Sequence, residues 1–254
     1  MSQPSRNAET EFDAYAAEYD VALAQGIRLS GEDKNYFAKG RIAWLAHCLA
    51  ELGEIPRTAM DFGCGTGSSL PLLSKEFALE WLLGVDPSVE SLAIAERDHG
   101  GDRIAFARAV EFDRGKQIDL AFCNGVFHHI PPDDRGAAVN SIFSSLRRGG
   151  LFAFWENNPW NPGTRYIMTR IPFDRDARTL ALPEAMRLLR EGGFEVVRTD
   201  FLFFFPKLLS WLRPLEPRLT RMPFGAQYQV LCRKPADASE GFCRPDRPAT
   251  GHPE

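Results

Sequence analysis

The chemistry in this chain concentrates first in three glycines and two acids. Met60-Asp61-Phe62-Gly63-Cys64-Gly65-Thr66-Gly67 leads from an apolar run into Ser68-Ser69, where a helical pattern begins. Glycines let backbone approach a ligand closely, and the N–H groups that open the following helix favour a carboxylate or phosphate. A second apolar run, Trp81–Val85, ends in Asp86, nineteen residues beyond Gly67. A carboxylate there accepts hydrogen bonds from both hydroxyls of a ribose, so loop and acid together indicate a nucleoside site. Ser68 stands where a dinucleotide fingerprint wants its last glycine, which disfavours a nicotinamide oxidoreductase. Two more clusters follow apolar runs: His128-His129, and Glu156-Asn157-Asn158. A histidine is a base near neutral pH, and a carboxylate can orient it or bind substrate. His129 is the first candidate base and His128 the second, with Glu156 beside them; the alternative for the pair is loop capping. The five histidines show no spacing matched to acidic or thiol ligands, so no metal is expected.

These residues need a scaffold that brings distant segments to one edge. β-rich runs lie at Thr58–Phe62, Trp81–Val85, Ile104–Ala107, Ile118–Cys123 and Leu151–Trp155. Helical patterns fill Lys39–Leu52, Ser68–Glu76, Pro87–Asp98 and Asp133–Arg147, the last ended by Gly149-Gly150, with Pro183–Glu191 beyond. That alternation predicts an α/β, Rossmann-like, mostly parallel sheet with helices on both faces. Phe194–Phe205 and Gln227–Cys232 read as an antiparallel pair closing the sheet. In a doubly wound sheet the exits of the fourth and fifth strands both face the ligand crevice, which brings the histidines and Glu156 to the glycine loop.

Asp61–Gly67 together with Gly84-Val85-Asp86 resembles the class I S-adenosylmethionine-dependent methyltransferases, over roughly Phe12 to Lys234. The resemblance implies a seven-stranded sheet with an antiparallel last strand and S-adenosyl-L-methionine as cofactor, leaving as S-adenosyl-L-homocysteine. It implies that Gly63, Cys64, Gly65 and Gly67 wrap the methionine part, that Asp61 sits by its amino group, and that Asp86 binds the ribose. A sulfonium ligand has no pyrophosphate and does not need the missing glycine. Phe12–Asp20 resembles the leader helix that closes over the cofactor in many small-molecule members, making Tyr15 and Tyr19 lid candidates; their four-residue spacing equally fits ordinary helix packing. Residues 11–52 are thus expected to form lid helices and 206–226 a cap insertion. Asn124, after the fourth strand, falls near the cofactor by the same likeness. One departure stands out: the family often places an acid for the adenine amine where this chain has Val110, so either Glu111 or a backbone carbonyl takes that bond.

Trp155–Arg165 holds two prolines and three asparagines, a composition that suggests a rigid loop facing substrate, or simply a stiff connector. It resembles loops of some bacterial methyltransferases. Asn157, Asn158 and Trp160 are the substrate-binding candidates there, joined by Arg165 and Arg170 for an anion. Residues 165–234 carry thirteen Lys/Arg against seven acids, while the whole chain is at −4. Phe201–Arg213 is apolar enough to line a greasy pocket or touch a membrane surface, although Phe201–Phe205 also reads as a doubly buried strand.

The 254 residues, 44% of them apolar, suit one domain. The acidic balance argues against a nucleic-acid partner, as does Asn124-Gly125-Val126-Phe127 in place of an Asn/Asp-Pro-Pro-aromatic signature. The five scattered cysteines read as reduced thiols of a cytoplasmic chain. No apolar leader opens the sequence, and no run reaches membrane-spanning length. Residues 1–10 and the proline-rich 235–254 are expected to be unstructured. The expected function is methyl transfer to a small-molecule acceptor, foremost an oxygen of an anionic or partly apolar metabolite. The alternatives are carbon or nitrogen methylation and a non-catalytic cofactor-binding protein.

Overall fold

The computed structural model describes residues 31–109, 117–171 and 177–236. Helix α1 (Lys34–Leu52) begins where the Asp33 carboxylate accepts the Tyr36 N–H at 2.8 Å, and it ends at Gly53 in the left-handed region. That cap starts the helix five residues before Lys39, where the apolar pattern sets in. Then follow β1 (Thr58–Phe62), α2 (Leu70–Phe77), β2 (Trp81–Asp86), α3 (Val89–His99), β3 (Ile104–Arg108) and β4 (Ile118–Asn124). The second half contains α4 (Arg135–Ser145), β5 (Leu146–Asn157), α5 (Pro162–Met168), α6 (Leu182–Glu191), β6 (Glu195–Leu202), α7 (Glu216–Leu219) and β7 (Gln227–Arg233).

The seven strands form one sheet in the order β3-β2-β1-β4-β5-β7-β6. All neighbours are parallel except β7, which runs antiparallel to both β5 and β6. Both faces are buried, as a parallel sheet requires. Along β4 the two-residue period sends Leu120 and Phe122 to one face, where they join Leu45 and Leu49 of α1 and Leu70 and Leu73 of α2. Ala121 and Cys123 point to the other, with Val139 and Ile142 of α4 and Ala185 and Leu189 of α6. Cys48, Cys64, Cys123 and Cys232 are free thiols buried in this packing.

One element departs from the expectation. The helix before β5 stops at Ser145, and Gly149-Gly150, read as its end, lie inside β5, which starts at Leu146. Gly149 has φ +74°, and a Cβ on Gly150 would come within 2.9 Å of the Arg147 carbonyl oxygen and 3.0 Å of that of Ile118. The pair accommodates a register shift against β4 between Ile118 and Leu120. The apolar run after Phe194 also ends early as strand, at Leu202, because Phe203 turns to φ +62°. Phe203 then packs on Tyr36 and Phe37 of α1, with ring centroids at 5.9 and 5.0 Å. From there to β7 the chain makes a bent 3-10 segment, Lys207–Leu215, and the short α7. Among the described residues no helix is long and apolar enough to cross a membrane.

Candidate functional site

The sheet brings the carboxyl ends of β1, β2, β4 and β5 together, and with them Asp61, Asp86, Asn124 and Glu156. The glycine loop is laced to β2: the N–H groups of Gly63 and Cys64 donate to the Val85 carbonyl at 2.7 and 3.0 Å. Its three glycines serve different ends. A Cβ on Gly63 would sit 2.3 Å from Val126 Cγ2, and one on Gly67 would sit 3.0 Å from the Ala95 Cβ of α3, so these two permit close packing. Among the described residues a Cβ on Gly65 would meet nothing within 4 Å, which leaves beside it space that a ligand can fill. The Cys64 side chain is buried, and burial pushes its thiol well above the usual range.

Asp86 accepts the Gly65 N–H on Oδ2 at 2.8 Å and the Ser88 N–H on Oδ1 at 2.9 Å. Asp61 is 3% exposed, and its carboxyl is pushed up to about 7, first by burial and then by the Asp86 carboxylate, with the Arg41 guanidinium acting the other way. Two acids bracketing the loop repel a pyrophosphate and favour a cation. Asn124 adds a buried Oδ1 with no hydrogen-bond partner among the described residues. This donor set fits a ligand with an ammonium, a sulfonium and a ribose diol.

Across the edge the side chains are tied to one another. Glu156, 1% exposed, accepts the Phe127 N–H on Oε1 at 2.8 Å and the His128 N–H at 3.3 Å. Its Oε2 lies 2.6 Å from His128 Nδ1, and the His128 ring is itself buried. His129, half-buried, leans on that ring at 4.1 Å between centroids. The geometry therefore gives the carboxylate partner to His128, whereas sequence placed His129 first. In the tautomer whose Nδ1–H donates to Glu156, Nε2 is the acceptor nitrogen of the ring.

Asn157 and Asn158 divide their roles. Asn157 Oδ1 accepts from Gln227 Nε2 at 3.1 Å, and Gln227 Oε1 accepts from Arg41 at 2.9 Å, so a chain of bonds links β5, β7 and α1 beside Asp61. Asn158 donates both amide hydrogens to the Pro223 and Gly225 carbonyls, and its Oδ1 accepts the Trp160 N–H, closing its own loop. Trp160 stays 48% exposed. Arg165 on α5 and Arg170 in the turn just after it are exposed, and Arg170 is engaged with the Tyr166 hydroxyl at 2.6 Å. Neither is in hydrogen-bond contact with the Glu156–His128 pair. Glu111, Tyr15 and Tyr19 lie outside the described residues.

Two residues escaped the sequence reading. Arg41 stands on the stripe of α1 that buries Leu45, Cys48 and Leu49, and a charge at the head of an apolar stripe was the available signal. Arg135, 4% exposed, donates through Nε to the Phe127 and Ile130 carbonyls and through Nη2 to that of Arg178. It fixes the turn that carries both histidines. Among the described residues no three His, Cys, Asp or Glu side chains converge on a metal-sized site.

A family model described as a methyltransferase domain matches residues 60–152. A trans-aconitate 2-methyltransferase of Methylobacterium nodulans is 26% identical over 229 residues, 81% of this chain and 87% of that one. The enzyme of that name from Rhodopseudomonas palustris (strain BisB5) is 26% identical over 48% of this chain and 47% of its own length. That from Methylobacterium radiotolerans is 31% identical over 39% and 38%. The chain thus spans about half or less of several curated relatives it matches. Among solved structures, a SAM-dependent methyltransferase from Archaeoglobus fulgidus superimposes with a TM-score of 0.56 at 17% identity, covering 76% of this chain and 94% of that one. The DhpI–SAH complex gives 0.59 at 18% identity, covering 93% and 100%. These likenesses establish the shared fold.

Proposed function

We propose that this chain, whose residues 60–152 match a methyltransferase domain and whose fold is shared with a SAM-dependent methyltransferase, transfers a methyl group from S-adenosylmethionine to an oxygen of a small anionic acceptor. The observation that carries the cofactor half is Asp86 at the tip of β2, bonded to the Gly65 N–H at 2.8 Å beside open space. In this reading the Asp86 carboxylate accepts the ribose hydroxyls. Asp61 meets the ammonium, Arg41 beside it holds the methionine carboxylate, and the Asn124 oxygen faces the cationic end. The bound cofactor supplies an activated methyl with a good leaving group.

The protein's own task is alignment and the exclusion of water, with proton removal where the acceptor oxygen carries one. His128, held through Nδ1 by Glu156, presents Nε2 for that purpose, and His129 lies against it. Arg135 positions both by tying the 127–130 turn to residue 178. The anionic acceptor is supported by the basic 165–234 segment and by relatives named for trans-aconitate, a tricarboxylate. Arg165 and Arg170 are the anion contacts of this proposal, with Asn157 and Trp160 lining the approach.

The test is incubation with S-adenosylmethionine and a panel of small carboxylates, trans-aconitate first, following S-adenosylhomocysteine and the methylated product by mass spectrometry. Ester formation on a carboxylate is the expected result. Binding of the cofactor with turnover only on amines or carbon acids would overturn the oxygen assignment, and binding with no turnover on any class would leave a cofactor-binding protein.

A further inference from the structure

The segment between β6 and β7 exposes apolar side chains that the fold does not use. Of the twelve large apolar residues exposed among the described residues, six lie between Leu208 and Phe224, so the exposure is concentrated in one part of the chain. Its extreme is the 3-10 segment Lys207–Leu215, which has no buried residue at all. Leu208 is 88% exposed and Trp211 73%, with Leu215, Met222 and Phe224 following at 44, 45 and 61%. A bend at Leu209 separates Leu208 from the turn that carries Trp211.

The segment is firmly held from beneath. Arg213 donates to Glu32 at 2.8 Å and stacks on the Tyr36 ring at 4.5 Å, and Glu216 accepts the N–H groups of Phe204 and Phe205. What projects outward is therefore presented by a fixed base. The segment's own charge is mostly of one sign: residues 203–226 hold Lys207, Arg213, Arg218 and Arg221 against Glu216, with Arg213 paired to Glu32 and Glu216 occupied inward. Lys207, Arg218 and Arg221 are exposed.

We propose that this face docks on an anionic lipid surface, with Leu208 and Trp211 entering the headgroup region and Lys207, Arg218 and Arg221 pairing with lipid phosphates. Leucine and tryptophan protruding from a basic surface are the composition of an interfacial anchor. A second copy of the chain packed face to face would set these bases against one another, which argues against self-association. The segment runs from the end of β6 to the start of β7, where Leu202 and Asn157 both pair with Gln227. It therefore crowns the same sheet edge as Glu156, and docking would turn that edge toward the lipid. The inference rests on the exposed face and not on the transferase reading, so cofactor titration and lipid binding fail independently.

The experiment is co-sedimentation of the full chain with vesicles of phosphatidylcholine, alone or mixed with phosphatidylglycerol, at low and high salt. The expected result is binding to the mixed vesicles that weakens with salt, and a loss of about tenfold or more both in Leu208→Ser/Trp211→Ser and in Lys207→Glu/Arg218→Glu. Unchanged thermal melting in both variants separates this loss from misfolding. No binding to the mixed vesicles, or equal binding by Leu208→Ser/Trp211→Ser, overturns the proposal. So does a solution dimer that this variant dissociates, since the face would then belong to a second copy.

Discussion

Around β1 and β2 the candidate site is made largely of backbone, and around β5 and β7 it is made of side chains. The glycine loop is held by N–H bonds to Val85 and to Asp86, and its shape depends on three missing Cβ atoms and two acids. The opposite side depends on Glu156 gathering Phe127 and His128, and on the Asn157–Gln227–Arg41 chain, whose links span 70 and 186 residues of sequence. A backbone-built site imposes residue types at fixed short spacings; a side-chain-built one is assembled from partners that no local pattern announces. The family model follows the same division, ending at residue 152 just before Glu156.

The largest effect that would sharpen this contrast is expected on the side-chain half. Glu156→Ala leaves two backbone N–H groups and the His128 ring buried without their acceptor, and should cost on the order of 3 to 5 kcal/mol in denaturant unfolding. A loss below about 1 kcal/mol would mean that water replaces the carboxylate and that the half is not so built. Asp86→Ala acts on the backbone half and should weaken S-adenosylmethionine binding by about 1 to 3 kcal/mol, read by calorimetry. An unchanged dissociation constant would remove Asp86 from the ribose role.

Asp61 gives a pH signature on the same half. Its carboxyl is raised from an ordinary 3.8 to about 7 in the folded chain, so the folded state holds the proton longer than the unfolded state. Its contribution to stability is therefore full at acid pH and lost as pH climbs from about 4 to 7. An ammonium beside Asp61 expels that proton, so cofactor affinity should rise by up to about tenfold per pH unit below 7 and level off above it. Proton release measured in buffers of different ionisation enthalpy checks this, and a flat profile would contradict it.

Smaller again is the contrast within the histidine pair: in single-turnover transfer His128→Asn should slow the reaction more than His129→Ala, because only His128 is held by Glu156. The reverse order would restore His129 as the base. At the small end, Arg170→Ala in the exposed turn after α5 should leave folding within about 0.5 kcal/mol and cofactor affinity unchanged, while raising KM for an anionic acceptor.

The same contrast explains what the sequence could be made to tell. The parallel strands, the loop and Asp86 were legible because burial on two faces leaves continuous apolar runs and glycines mark their exits. Gly149-Gly150 misled, since a pair that ends helices also admits a bulge in a strand, and only the partner strand's register decides between them. The choice of His128 over His129 turns on a partner 28 residues away. Arg41 and Arg135 were passed over because an arginine on a helix usually faces water, whereas these two are buried and bonded to carbonyl oxygens, of the Gln227 side chain and of the 127–130 turn.

The most direct test of the central claim is calorimetric titration of the full chain with S-adenosylmethionine and S-adenosylhomocysteine, with NAD and NADP alongside. The account predicts that both sulfur nucleosides bind, that neither dinucleotide does, and that Asp86→Ala loses the binding. Binding of a dinucleotide, or of no nucleoside at all, would contradict it.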